Sequence, residues 1–211
     1  MVNIIKKKIM ATIKPISSMT TPRFADVATF FRLPVIKDLQ KLDYCICGVP
    51  WDGGTTNRPG ARHGPREIRN ASSLIRTYHP ISLKSPYDIY NIADIGDCPV
   101  NPIDLQDSLT KIENFYNNII NSKTIPLSMG GDHLVSLPIL RALGKNKPLG
   151  LFQFDSHSDT WDTYFGDHKY THGTPFRRAI EENLIDPHRY VMLGIRGGLY
   201  DPNDMTWAKE Q

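Results

Sequence analysis

The chain has 211 residues, of which 40% are hydrophobic and 22% charged, enough for one α/β domain with a substantial core. Lys plus Arg (25) nearly balance Asp plus Glu (22), a formal charge of +3 that gives no nucleic-acid surface and names no partner. Three cysteines, Cys45, Cys47 and Cys98, have neither a zinc spacing nor an even count, which excludes a disulfide framework and leaves buried reduced thiols.

In chain order, residues 1–20 are lysine-rich without an apolar stretch long enough for a signal peptide or membrane span, and they carry no arginine. They read as a mobile cytoplasmic lead-in, so 1–21 is set apart from a domain over 22–211. Residues 22–34 form a loop with aromatics that packs on the domain or on a neighbouring subunit. A buried strand over 44–49 leads into a Gly/Pro-rich loop, 50–65, of a length that is usually functional. Its Arg58, Arg62 and Arg66 are expected to pin the loop through ion pairs. A helix over 67–76 and a strand over 89–92 follow. Asp94 and Asp97 lack a histidine and are read as structural. Leu105, Leu109, Ile112 and Tyr116 make one stripe of an amphipathic helix over 105–120 that covers the sheet.

The chemistry begins at 128–133, SMGGDH, where an apolar segment runs into a glycine pair, then Asp132 and His133, before a helix over 134–143. Glycines at 130 and 131 let backbone approach whatever His133 touches. The pattern returns at 149–160: the apolar run Leu149, Leu151, Phe152 and Phe154 ends in Asp155, His157 and Asp159. In an extended chain, positions i, i+2 and i+4 share a side. Two carboxylates and an imidazole there suit Mn²⁺ or Mg²⁺, and Zn²⁺ less well. Alone, the same residues fit equally a polar loop in which Asp155 and Ser156 cap the next helix. Two successive strand ends presenting Asp and His at one edge favour a site, because ligands of a parallel α/β sheet lie beyond the carboxyl ends of its strands. His133, Asp155, His157 and Asp159 are therefore the candidate metal ligands. The loop 161–170 is rich in aromatics, among them Trp161, Tyr164 and Phe165, and ends at His172 in THGT. A lone loop histidine is by default a surface residue, and His63, His79, His168 and His188 receive no role. A helix over 175–183 and a strand over 190–195 complete the pattern.

GGDH at 130–133 followed by DSHSD at 155–159 resembles the first two metal signatures of the ureohydrolases, the manganese enzymes that include arginase and agmatinase. Ser156 stands where that family usually has alanine. The resemblance covers nearly everything after Thr21, and GVPWDGGTTNRPGARHGPREIR (48–69) with THGTPFRRA (171–179) look like agmatinases and guanidino-acid hydrolases. It implies a three-layer α-β-α fold with a mainly parallel, arginase-like sheet, and two Mn²⁺ ions. His133, Asp155 and Asp159 would hold one ion, Asp155 and His157 the other, and His172 would shuttle a proton. The implied reaction is hydrolysis of a small cationic guanidino substrate, agmatine to putrescine and urea, with a guanidinobutyrase or another guanidino-acid hydrolase as the alternative. The resemblance further implies a cytoplasmic homo-oligomer, trimer or hexamer, without nucleic-acid or membrane partners.

One departure bears on activity. The family's third signature, an Asp-x-Asp pair on a later strand, has no match after Gly194, since Asp201 and Asp204 have the wrong spacing. The chain thus reads as the N-terminal portion of a ureohydrolase, truncated at the C-terminus and lacking the last strands. Its remaining ligands are expected to keep one ion weakly, and its sheet to expose an apolar surface. The alternative of another class is an inactive fragment that serves as an oligomerisation partner.

Overall fold

The computed structural model describes residues 11–211. Five strands carry the architecture: β1 Tyr44–Val49, β2 Ile92–Asp97, β3 Ile125–Gly130, β4 Leu149–Phe154 and β5 Ile185–Leu193. All pairings among these five strands are parallel, in line with the mainly parallel sheet expected, and fall into two groups, β2-β1-β3 and β4-β5. The helices are α1 Gly64–Ser72, α2 Leu105–Asn121, α3 Ser136–Gly144, α4 Pro175–Glu181 and α5 Thr206–Glu210.

Alternation along β1 builds two cores at once. Cys45, Cys47 and Val49 point to one face, where Ile112, Tyr116 and Ile119 of α2 cover them. Each such side chain contributes about 1.5–3 kcal/mol by leaving water. Tyr44 and Ile46 point the other way, onto Leu33, Tyr87 and Met129. On this face α1 begins so close to β1 that a Cβ on Gly48 would lie 2.7 Å from Pro65. A third cluster joins α3 and α4 to the β4-β5 pair through Leu137, Leu140, Phe176 and Ile185.

Local sequence explains where the helices stop and start. Asp104 caps α2 by accepting the Asp107 amide at 2.9 Å, and the buried Leu109, Ile112, Tyr116 and Ile119 repeat at helical spacing. Past its end, Lys123 adopts φ 64°, a left-handed exit. Pro65 and Pro175 sit in the first turns of α1 and α4, where a missing amide costs nothing.

Several expectations need correction. α1 begins at Gly64 and ends at Ser72, earlier than the expected 67–76, because its first turn grows out of the Gly/Pro-rich loop. The strand expected at 89–92 is β2, and it carries Asp94 and Asp97 within it. Those carboxylates fit a strand because Arg69 of α1 meets both, with Nε 2.7 Å from Asp94 and Nη1 2.6 Å from Asp97. β5 starts at Ile185, five residues before its expected position at 190, with a register shift opposite Leu149 and Leu151. Of the expected mobile lead-in, residues 1–10 lie outside the described residues. From Ala11 onward the chain is fastened instead: the Thr12 amide donates to Asn91 at 2.9 Å, and Lys14 reaches the Tyr87 carbonyl at 2.7 Å and Asp88 at 2.8 Å. Cys45, Cys47 and Cys98 are buried free thiols, as expected. Among the described residues, no helix is long and apolar enough to cross a membrane.

Candidate metal centre

The site is built where β3 and β4 end, which places it between the two groups of strands. After β3 the chain turns at Gly131, whose φ of 42° and position 2.5 Å (by a Cβ) from the Val49 and Trp51 carbonyls leave room for glycine alone. The close approach expected at His133 is thus made to the end of β1. Asp132 then caps the next turn, accepting from the Leu134 amide at 2.8 Å and from the Gly54 amide at 2.7 Å. Its carboxyl is pushed up to about 6 by burial, against which those two amides act. So fixed, the turn projects His133, whose ring lies edge-on to Phe176 at 5.0 Å.

His133 Nδ1 lies 2.6 Å from Asp159 Oδ2 and 3.2 Å from Asp155 Oδ2. One donor atom from each of these three residues falls within 4.8 Å of the others. Burial pushes the His133 imidazole down, but Asp159, Asp155 and Asp132 outweigh it, and the net shift is upward. Burial likewise pushes the Asp155 carboxyl up, and the His157 amide, Gln153 and the imidazoles of His133 and His157 outweigh that, holding it low. Two carboxylates and one nitrogen in a partly buried cluster form a hard donor set with spare negative charge, which fits a divalent cation of the manganese or magnesium kind.

The route to this cluster differs from the alternating strand that spacing suggested. β4 stops at Phe154, and Asp155 Oδ1 turns back to accept the His157 amide at 2.9 Å. Asp159 reaches His133 through a left-handed residue, φ 51°, itself buried. The capping role weighed for Asp155 is therefore present as well, in a turn rather than at a helix. His157 stands apart from the other three candidate ligands. Its side chain is 62% exposed and its Nδ1 is 3.7 Å from Asp155 Oδ1, while Ser156 Oγ sits 3.1 Å from the same nitrogen.

A cavity of about 420 Å³ opens over the cluster, lined by His133, Asp155, His157 and Asp159 together with His172, Thr56 and the aromatics Trp161, Tyr164 and Tyr200. His172, a surface residue by default and a proton shuttle only by resemblance, lines this cavity. Its amide donates to the Gly54 carbonyl at 2.8 Å, and its Nε2 lies 2.8 Å from the Thr56 hydroxyl. Burial depresses the imidazole; Asp159 opposes this, while His133 and His157 add to it. Thr56 and Tyr200 were not singled out by sequence. The long 50–65 loop flagged Thr56 only as part of a functional segment, and Tyr200, stacked edge-on against Trp161 at 5.4 Å, lies in a stretch without a motif. In that loop Arg62 makes the expected ion pair, Nη2 to Asp52 at 2.5 Å, whereas Arg58, and Arg66 at the start of α1, make no ion pair among the described residues.

A profile of the arginase family matches residues 42–211. The chain belongs to the arginase family. It is 59% identical over 197 residues to a guanidinopropionase of Pseudomonas aeruginosa, covering 93% of this chain and 62% of that protein. To a mitochondrial agmatinase of Gallus gallus it is 43% identical over 198 residues, with coverages of 93% and 58%. Among solved structures of the family's fold, the proclavaminate amidino hydrolase of Streptomyces clavuligerus superposes with a TM-score of 0.84 at 37% identity, covering 90% of this chain and 63% of that one. The three-layer α/β fold expected from the resemblance is therefore that of the family. The chain spans about three fifths of the length of the relatives it matches.

Proposed function

We propose that the protein hydrolyses the guanidino group of a small guanidino acid in a manganese-dependent reaction, releasing urea and an amine. The observation that supports it is the cluster of His133, Asp155 and Asp159 under a cavity that also holds His172, in a chain 59% identical to a guanidinopropionase. Agmatine, favoured by the loop and THGTPF sequences, becomes the second reading, supported by 43% identity to an agmatinase. A small homo-oligomer with no nucleic-acid or membrane partner belongs to the same proposal.

His133, Asp155 and Asp159 would hold the divalent cation, with His157 beside Asp155 at the position for a second. Bound there, the metal supplies Lewis acidity, which makes a water nucleophilic near neutral pH. The aromatic walls Trp161, Tyr164 and Tyr200 restrict bulk water and line the path of the substrate. His172, whose imidazole burial pushes down, would take the proton that the attacking water gives up and pass it to the departing amine nitrogen as the carbon–nitrogen bond breaks. Thr56 and the Gly54 carbonyl hold the His172 ring and backbone in place for that transfer.

The test is urea release by the protein loaded with Mn²⁺, offered guanidinopropionate, guanidinobutyrate, agmatine and arginine in parallel. A guanidino acid as the fastest substrate supports the proposal, whereas agmatine as the fastest reverses the substrate order. Urea from none of them, with manganese bound, leaves the non-catalytic oligomerisation partner as the better reading.

A further inference from the structure

A second cavity, of about 640 Å³, lies away from the metal centre between the 14–32 segment and the chain that follows α1. Four cationic side chains, Lys14, Arg23, Arg32 and Arg76, line it against one acid, Asp88. Asp88 is already engaged, by Lys14 at 2.8 Å and by the Tyr78 hydroxyl at 2.7 Å. Three guanidinium groups are left without a carboxylate among the described residues.

Arg32 is the unusual member. It is 5% exposed, and its Nη1 donates to the Thr21 carbonyl at 3.0 Å, yet its Nη2 and the buried Nε of Arg23 have no hydrogen-bond partner among the described residues. A buried, uncompensated charge is among the costliest features a fold can carry. Here backbone strain is added to it, because Phe31 and Arg32 both adopt left-handed conformations, φ 54° and 58°. The strain is maintained from several sides: Phe30 donates its amide to Asp94 at 2.9 Å, Phe31 to Ser72 at 2.8 Å, and the Arg32 carbonyl accepts from Ile16 at 3.0 Å. The Ser18 hydroxyl, 3.4 Å from Nη1, adds only a long second contact, and an arginine that merely tied down Thr21 would not need the free Nη2 or a second guanidinium lining the same cavity.

We propose that this cavity binds a small oxyanion of the phosphate or carboxylate class, held by Arg32 and Arg23 with Arg76 at its rim. Guanidinium forks match the oxygen spacing of such anions and bind them with charge-assisted hydrogen bonds. The bound anion would fasten the 14–23 segment to the residues after α1. The site is independent of the hydrolase reading, since none of its residues lines the metal pocket.

Calorimetric titration of inorganic phosphate and of succinate into the metal-free protein, in a buffer of monovalent anions, tests this. Saturable binding of either, with a melting temperature that rises with the anion, is expected. Arg23→Met and Arg32→Lys should each weaken binding about tenfold, the lysine variant because it keeps the charge and loses the fork. Should Arg32→Lys fail to fold, Arg23→Met decides alone, as its side chain is only half-buried. No saturable binding of either anion, or equal affinity in Arg23→Met, overturns the proposal. So does a change of oligomeric state in the variants without anion-dependent heat, which would make the cavity a contact between copies of the chain.

Discussion

His157 and Asp159 look equivalent in DSHSD, and the fold separates them. Asp159 turns inward onto His133, whereas His157 remains largely in solvent beside Asp155. The first equivalent of Mn²⁺ should therefore survive His157→Ala and be lost in Asp159→Ala and His133→Ala, with affinity lower by at least about a hundredfold. Metal per chain after desalting reads this directly, and equal loss in all three variants would place His157 among the primary ligands. Thr56 offers a second residue-scale test. Removing its hydroxyl in Thr56→Val frees the His172 ring, and a fall in kcat of about tenfold with little change in KM is expected, restored by Thr56→Ser. The ¹⁵N shifts of the His172 ring should move in Thr56→Val and return in Thr56→Ser even where no turnover is measured. An unmoved ring signal would deny Thr56 its positioning role. Sequence offered His133, Asp155 and Asp159 as candidate ligands because that chemistry is carried by residue type, and the fold brings their donor atoms together. Thr56 was hidden because its partner is 116 positions away and hydroxyls are common.

At the scale of elements, legibility followed how local the stabilising contacts are. β1 falls on 44–49 as expected, and α2 extends one residue past the expected 105–120, since an apolar run and an amphipathic stripe are both readable from neighbours in sequence. β2 was displaced because Asp94 and Asp97 make an unconvincing strand until Arg69 of α1 is brought across to them. The 50–65 loop depends on a similar hidden partner, Asp52. Its buried carboxylate accepts from the Gly60 amide at 2.6 Å and from Arg62 Nε at 2.5 Å, closing the loop that carries Thr56. The Arg62 guanidinium, with the Gly60 amide and the Arg62 amide at 3.2 Å acting against burial, holds the Asp52 carboxyl down at about 2. A carboxyl depressed in the folded state stabilises it above the ordinary carboxylate range, and that contribution is lost as pH falls from about 4 to about 2. Asp52→Asn should therefore cost about 2 kcal/mol near pH 7, with parent and variant converging near pH 2. Urea unfolding at both pH values measures the gap. A gap that stays constant with pH would mean that Asp52 acts by shape rather than by charge.

For the whole molecule, the decisive feature is that the candidate metal ligands come from both groups of strands while no strand pairing among the described residues joins the groups. His133 follows β3, and Asp155 and Asp159 follow β4, so the His/Asp cluster and the packing of α2 on α3, with Leu109 beside Leu137 and Leu140, do the joining. The faces flanking that junction are apolar and open. Ile125 and Leu127 on β3 are each about half exposed, and on β4 Phe152 and Phe154 are 70% and 80% exposed. The positions share a face in each strand, i and i+2, so each pair forms a continuous patch rather than scattered side chains. Patches of this kind on strands with an unpaired side favour association. The 211-residue chain should accordingly enhance the fluorescence of an apolar dye and sediment with increasing mass across a hundredfold range of concentration. Substituting Phe152→Thr together with Phe154→Lys should reduce both effects while leaving the first Mn²⁺ equivalent bound, because neither side chain is a ligand. A single sedimenting species of monomer mass with no dye response would mean that these faces are covered within the molecule in solution. Mn²⁺ adds a discriminating arm. Drawing His133 to Asp155 and Asp159 tightens the junction between the two strand groups, so the melting temperature should rise with metal. The dye response should persist, since the ion closes the acidic cluster and leaves the apolar faces open.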